Sequence, residues 1–210
     1  MKTIEEIFIN FYKEHLEKID EKHQIKKYID ESNYQYVLGY VASKGISLPK
    51  NVRDASLYLN FKLLRSRQIG NAGEDLFKSD YEKLGGNNIL EKLIRGNQKQ
   101  LNPDFFEKNK KIYIEVKTAT IYKGNKFIFE QIRLKDPRIN YYVFLGITPE
   151  GRFYWVLNKE EIKPGKLIYG AKFSPQHSTK GSNATYQWHP SFEQMKDYII
   201  LPDQLTSEIM

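Results

Sequence analysis

The sequence predicts a mixed α/β fold, of the α+β kind, preceded by a helical N-terminal region. Apolar residues recur at helical spacing over residues 1–67, alternate with polar residues through the centre of the chain, and give way to Gly, Ser and Pro in the tail. The chain has 210 residues, of which 40% are hydrophobic, so it is long enough to bury a substantial core. We therefore expect a helical region over residues 1–67 and a core domain over residues 68–210.

Three helices are expected in the N-terminal region. The second ends near Gly45, and the third begins after Pro49 with Asn51 as a candidate cap. The first has apolar residues at helical spacing between charged ones: Ile4, Ile7, Phe8, Phe11 and Leu16.

A fourth helix is expected from Ala72 to Leu84, after a loop marked by Gly70 and Gly73. The Gly85-Gly86 pair would end it. Its expected buried stripe consists of Leu76, Phe77, Tyr81 and Leu84.

The centre of the chain is expected to be rich in β-strands. The segment PDFFEKNKKIYIEVKTAT (103–120) predicts a hairpin, and NYYVFLGITPEGRFYWVLN (140–158) predicts a second strand pair with a Pro-Glu-Gly turn. Ile89 to Ile94 fit a short strand or a turn, and FIFEQIRLKDPRIN (127–140) fits a helix or an irregular crossover. We expect the tail to form a long polar loop followed by a short helix near Phe192 to Tyr198.

Composition narrows the classes of function. A net charge of +7, from 33 Lys and Arg against 26 Asp and Glu, favours an anionic partner such as nucleic acid. The absence of cysteine excludes disulfides, thiolate metal sites and cysteine nucleophiles. The sequence contains no glycine-rich nucleotide loop ending in Lys-Ser or Lys-Thr, and its histidines lack metal-site spacing. No segment has the apolar length of a signal peptide or a membrane span, so we expect a cytoplasmic protein without a membrane partner.

The predicted hairpin brings together side chains suited to chemistry. Because side chains alternate along a strand, Glu115 and Lys117 share one face, about 7 Å apart at a rise of about 3.3 Å per residue. The tight turn would bring Asp104 beside Glu115 on the same face. Two converging carboxylates suit a hard divalent cation such as Mg²⁺, and the lysine beside them suits contact with a water or a phosphate.

The segment PDFFEKNKKIYIEVK resembles the motif of the PD-(D/E)XK nuclease superfamily, which includes type II restriction endonucleases. Ten residues separate Asp104 from Glu115, as a tight hairpin allows. The resemblance extends over about residues 70–148. It implies a restriction-endonuclease-like core with a central mixed β-sheet flanked by helices, Mg²⁺ as cofactor, and hydrolysis of DNA phosphodiester bonds.

The resemblance also implies roles for particular residues. Asp104 and Glu115 look like metal ligands and Lys117 like the catalytic lysine. Glu74, in NAGEDLF, looks like an acid from a preceding helix that reaches the metal directly or through water. Gln131 resembles a further polar catalytic residue on a following helix, and Glu130 is its rival.

The partner implied is double-stranded DNA, cut by a homodimer in which each subunit cleaves one strand. Residues 1–67 would then serve dimerisation or clasp the duplex. The candidate DNA contacts are Lys123, Lys126, Arg133, Lys180 and Asn183.

Two alternatives remain open at the level of sequence. A structure-selective nuclease, such as a Holliday junction resolvase, would carry the same motif and cut branched DNA. A non-catalytic DNA-binding module would use the Glu115–Lys117 pair only as a solvated face of an antiparallel sheet.

Overall fold

The computed structural model describes residues 57–62, 64–93, 102–122, 125–148, 151–176 and 184–209. The chain divides into two compact units, Met1–Arg65 with Ile147–Gly151, and Ser66–Gly146 with Arg152–Met210. In the first unit, helix α1 (Leu57–Lys62) lies where the sequence predicts the third N-terminal helix. The two earlier predicted helices and the Asn51 cap fall outside the described residues.

The described elements after α1 form a helix, two sheets and a short helical C-terminal segment. The five-stranded sheet has the order β1-β2-β3-β5-β6 and is mixed, and the four-stranded sheet has the order β4-β9-β8-β7. In chain order the elements are α2 (Ser66–Gly85), β1 (Leu90–Lys92), β2 (Phe105–Glu107), β3 (Ile112–Thr120), β4 (Phe129–Ile132), β5 (Tyr141–Thr148), β6 (Gly151–Asn158), β7 (Leu167–Ile168), β8 (Ala171–Pro175), β9 (Tyr186–Trp188), α3 (Phe192–Met195) and α4 (Leu205–Glu208).

Helix α2 confirms the fourth predicted helix but begins six residues earlier, at Ser66. The predicted loop at Gly70 and Gly73 is wrong, because both glycines lie within the helix. Gly73 is required by packing: a Cβ there would lie 1.8 Å from Thr118 Oγ1 on β3. The prediction that Leu84 is buried is also wrong, since its side chain is 45% exposed at the last turn of the helix.

The β2–β3 hairpin forms as predicted. Its register pairs Phe105 with Ile114 and Glu107 with Ile112. For the segment Ile89 to Ile94, the short strand and not the turn is confirmed, because it contains β1, in which Lys92 pairs with Phe105. The expected second strand pair is also present, as β5 and β6, although its Pro149-Glu150 turn lies outside the described residues.

Both faces of the five-stranded sheet are covered. On one face, Phe77 of α2 packs against Phe105 and Tyr154, with ring centroids 5.7 and 6.3 Å away. On the other face, Phe144 of β5 packs against Phe129 and Trp188 of the second sheet, at 5.0 and 4.8 Å. Coverage on both faces explains why β5 is an almost unbroken apolar run.

A buried ion pair fixes α2 to the sheet. The Asp80 carboxylate is 1% exposed and accepts hydrogen bonds from Arg152 Nε at 2.6 Å and from the Tyr154 hydroxyl at 2.7 Å. The helix that carries Glu74 is therefore held in one position by both apolar and charged contacts.

The second sheet corrects two expectations. Residues Phe129–Ile132 form a strand, β4, so the helical alternative for this segment is wrong. The tail is not one long loop: Phe173 of β8 and Trp188 of β9 are buried in the aromatic core, and their rings stack at 5.1 Å. The predicted helix near Phe192 to Tyr198 is confirmed as α3 followed by a 3₁₀ turn.

The mixed α/β class is thus confirmed, whereas the restriction-endonuclease-like identity of the core stays a prediction. Among the helices in the described ranges, none combines the length and the apolar character needed to cross a bilayer.

Candidate active site

Asp104 ends the ladder between β2 and β3. Its backbone N–H donates to the Ile114 carbonyl at 3.1 Å, and its side-chain Oδ2 accepts from the Val116 N–H at 2.8 Å. The Asp104 carbonyl accepts from Leu93 N–H at 2.9 Å, next to β1. The carboxylate therefore replaces a strand as the partner of Val116, at the point where β3 continues beyond the end of β2.

Glu115 and Lys117 lie on one face of β3, as the alternation predicts. Glu115 Oε1 is 2.7 Å from Lys117 Nζ, and their side chains are 2% and 18% exposed. The β2–β3 register places Asp104 beside Glu115. The structure therefore brings together the three residues of the predicted motif, with Lys117 the most accessible.

The pKa of Asp104 is shifted by its burial and by the neighbouring charges. Burial and the neighbouring Glu115 charge raise the pKa of Asp104 to about 7, although Lys117 and the Val116 N–H act in the opposite direction. Among the described residues, no cation lies within ion-pair distance of the Asp104 carboxylate. Asp104 is thus a buried carboxylate beside another carboxylate, and the described part of the chain gives it no direct cationic partner.

Arg133 is predicted to contact DNA, but in the structure it is buried beside Glu115. Its guanidinium is 8% exposed and binds Glu115 with two nitrogens, NH2 to Oε2 at 2.5 Å and Nε to Oε1 at 3.3 Å. Burial acts to lower the pKa of Arg133, but Glu115 and Asp136 raise it above its ordinary value. A phosphate contact requires exposed donors, so the buried guanidinium corrects the predicted role.

The Arg133 network also holds the chain just before Asp104. Arg133 NH2 donates to the Asn102 carbonyl at 2.9 Å, and Arg138 NH1 donates to Asn102 Oδ1 at 3.0 Å. Asp136 joins the two arginines, at 3.3 Å from Arg133 NH1 and 2.8 Å from Arg138 NH2. One cluster of charges therefore fixes both Glu115 and the segment that leads into Asp104.

Glu74 is buried on α2 and has a cation of its own. Its Oε2 is 3.1 Å from Lys92 Nζ, which also lies 2.7 Å from Asp75 Oδ1. Burial acts to lower the pKa of Lys92, yet hydrogen bonds to Asp75 and Glu74 raise it overall. Glu74 is close enough to Asp104 to influence its pKa, and Lys92 is a residue of this region that the sequence did not indicate.

The remaining predicted residues lie elsewhere or outside the described ranges. Gln131 lies on a strand, not a helix; its side chain is exposed, its φ is 54°, and its N–H donates to Gln176 Oε1 at 2.7 Å. Its rival Glu130 is exposed and accepts from Gln176 Nε2 at 3.0 Å. Lys126 is exposed beside β4, as a DNA contact requires. The predicted contacts Lys123, Lys180 and Asn183 lie outside the described residues.

A Mg²⁺ ion at this site stays a prediction, with Asp104 and Glu115 as its ligands and Glu74 as a third that reaches it directly or through water. Within the part of the chain that is described, no three acidic or histidine side chains are grouped as metal ligands. Asp104 and Glu115 meet the usual requirement of one or two protein carboxylates, with water and phosphate oxygens completing the shell.

No protein-family model matches the chain, and no curated protein matches it. Among solved structures, the chain is similar at a TM-score of 0.20 and 11% identity to a glutaryl-CoA dehydrogenase from Mycobacterium smegmatis in complex with FADH2. The match covers 95% of this chain and 53% of that one, so the chain spans about half the length of the dehydrogenase. A likeness of this size carries no argument about fold or activity.

Proposed function

We propose that the protein is a Mg²⁺-dependent endonuclease that hydrolyses phosphodiester bonds of double-stranded DNA, most simply as a restriction-type enzyme. The observation that carries the proposal is the buried Asp104 carboxylate, which lies beside Glu115 and lacks an ion-pair partner among the described residues. Such a group is costly to keep unless a cation satisfies it, and perturbed carboxylates of this kind concentrate at functional sites. The motif and the net charge of +7 support DNA as the substrate.

Each residue of the site has a role in the proposed reaction. Asp104 and Glu115 would hold Mg²⁺, which when bound neutralises charge on the phosphate and lowers the pKa of a coordinated water. Lys117 can donate hydrogen bonds to the attacking water or to a phosphate oxygen, because its side chain is partly accessible. Arg133 orients Glu115 from the interior and is a positioning residue.

Cutting both strands of a two-fold site would require a homodimer, and residues 1–67 would provide the subunit contact or the clasp on DNA. This part of the proposal rests on symmetry and on the predicted helices. It is tested by measuring the mass of the protein alone and on duplex DNA by light scattering.

One observation favours a second candidate, a non-catalytic DNA-binding module. Glu115 is already paired with both Lys117 and Arg133, so its charge is satisfied without a metal. In that case the hairpin acids are structural, and substitution of Lys117 would change DNA binding at most.

The deciding experiment incubates the purified protein with unmethylated phage DNA and Mg²⁺, beside an EDTA control. The Lys117→Ala variant is compared with Lys163→Ala, which removes an exposed lysine outside the site. Discrete fragments from the wild type and Lys163→Ala, absent with EDTA and with Lys117→Ala, support the proposal. Equal cutting by Lys117→Ala and wild type contradicts the role of the lysine.

A second substrate separates the two nuclease alternatives. A four-way DNA junction of arbitrary sequence is offered under the same conditions. Cutting of the junction with intact phage DNA favours a structure-selective nuclease. If both substrates are bound but neither is cut, the binding module is the better description.

A further inference from the structure

A polar cleft lies on the outer surface of the second sheet. It has a volume of about 380 Å³, and its lining includes Lys126, Lys172, Ser174, Gln187, His189 and Ser191. None of these residues belongs to the candidate active site. Lys126 is one of the DNA contacts that the sequence predicts, and Ser174, Gln187 and His189 lie in the polar tail.

Strand alternation explains why the cleft is polar. On β8, Phe173 points into the core and is 1% exposed, so Lys172 and Ser174 point outward. On β9, Trp188 is buried, and Gln187 between the buried positions faces the same side as its register partner Ser174. Two neighbouring strands therefore present an ammonium, a hydroxyl and an amide together.

The charge of the cleft is positive. Lys126, Lys172 and His189 are all exposed, and the described residues of the lining include no carboxylate. Within the described ranges neither lysine is paired with an acidic side chain. This differs from Lys92 and Lys117, whose charges are already satisfied by carboxylates. The two cleft lysines are available to an external anion.

The wall of the cleft is held in place by hydrogen bonds in which the side chains of Lys126 and Lys172 take no part. Ser191 Oγ accepts from Gln194 N–H at 3.2 Å, and Gln194 Oε1 accepts from Ser191 N–H at 2.9 Å. Gln194 Nε2 also donates to the Gly170 carbonyl at 3.3 Å. Beneath this wall, Trp155 Nε1 donates to the Met195 carbonyl at 2.9 Å, which anchors α3 to the aromatic core. The cleft is therefore built before any ligand arrives, which reduces the entropic cost of binding.

We propose that this cleft binds a phosphate group of the DNA backbone. Ammonium groups with neutral hydroxyl and amide donors suit a phosphate oxygen, and the open, polar cleft is accessible to a polymer. A contact of this kind carries no sequence information but positions the duplex and adds affinity that depends on salt. The inference rests on the proposed function, because it names a second surface through which the enzyme holds its substrate.

The test measures binding of a short fluorescent DNA duplex in EDTA over a series of salt concentrations. The Lys126→Ala/Lys172→Ala variant is compared with wild type and with Lys163→Ala/Lys166→Ala, which removes the same charge from exposed positions outside the cleft. Each phosphate contact contributes about 0.9 to the slope of log affinity against log salt, so the cleft variant should lose about 1–2 from that slope. The control variant should lose clearly less, and thermal unfolding verifies that both variants are folded.

An equal loss in the two double variants, or no loss in either, overturns the cleft as a phosphate site. Absence of DNA binding by the wild type overturns the DNA backbone as its occupant. In that event, inorganic phosphate is titrated into the protein and the NMR signals of the His189 ring are followed. A shift of these signals identifies a small phosphate compound as the occupant of the cleft. Cleavage by the wild type is measured in parallel with Mg²⁺. A protein that binds through the cleft without cutting contradicts the proposed hydrolysis and leaves the cleft proposal supported.

Discussion

Replacing Arg133 by methionine tests whether the charge network behind Glu115 holds the site together. Methionine keeps an unbranched, apolar stem but removes two hydrogen bonds to Glu115, one to Asp136 and one to the Asn102 carbonyl. Removing one member of a buried ion pair typically costs 3–5 kcal/mol, because the remaining charge is left without compensation. Lys117 still lies 2.7 Å from Glu115, so we expect the lower end, about 3 kcal/mol.

The matched control is Arg138→Met. Arg138 pairs with the same Asp136 but is 39% exposed, so its loss should cost no more than about 1 kcal/mol. The assay is urea unfolding in EDTA, followed by fluorescence of Trp155 and Trp188, which are fully buried. If Arg133→Met destabilises the protein no more than Arg138→Met does, the idea that Arg133 holds Glu115 from the interior is refuted.

Three further predictions concern packing, pH and metal. Gly73→Ala should lower the free energy of unfolding by about 1–3 kcal/mol, because the new methyl group would clash with Thr118. Gly70→Ala, in the same helix with open space around it, should raise that free energy by about 0.5–1 kcal/mol; equal effects in urea unfolding would contradict the close contact. In the folded state the pKa of Asp104 is raised to about 7 from its ordinary value of 3.8, so the folded protein holds this proton more tightly than the unfolded chain. The stabilisation that the proton gives is complete below pH 3.8 and is lost as pH rises through 7. In EDTA the wild type should therefore lose up to about 4 kcal/mol relative to Asp104→Asn between pH 4 and 8, and a flat difference between their unfolding curves would show that Asp104 titrates normally. Mg²⁺ at ten times its dissociation constant should stabilise the wild type at pH 8 by about 1.4 kcal/mol and leave Asp104→Asn unchanged; equal stabilisation of both would place the ion elsewhere.

Local patterns were sufficient to predict the hairpin and the shared face of Glu115 and Lys117. Side-chain alternation and a short turn determine both, and neither depends on distant parts of the chain. The sequence misplaces the start of α2 because Gly73, which permits close helix–sheet contact, looks in sequence like a loop glycine. Only the position of Thr118, 45 residues further along the chain, distinguishes the two for Gly73.

The rest of the site depends on long-range contacts. Strands β8 and β9 are short, and the aromatic stacking of Phe173 on Trp188 holds them in a segment whose composition indicates a loop. Arg133 lies at the end of β4, and nothing local distinguishes a buried arginine from an exposed one. Its burial follows from the packing of one sheet on the other, which brings its guanidinium to Glu115.

The two acids at the end of the hairpin differ in how their charge is balanced. Glu115 has Lys117 and Arg133 as direct partners, and Asp136 has Arg133 and Arg138. Asp104 accepts a hydrogen bond from the Val116 N–H and is influenced by the charge of Lys117, but none of the described cations pairs with it directly.

If the hairpin were purely structural, a neutral residue such as asparagine at position 104 would satisfy Val116 equally well and would avoid the repulsion from Glu115. A carboxylate at that position is an advantage only when a positive charge arrives there. The comparison of wild type with Asp104→Asn, with and without Mg²⁺, therefore bears on function and not only on stability. If Asp104 lowers the stability of the metal-free protein but is required for Mg²⁺ to stabilise it, Asp104 behaves as a metal ligand. If Asp104 lowers the stability both with and without Mg²⁺, it has no such role.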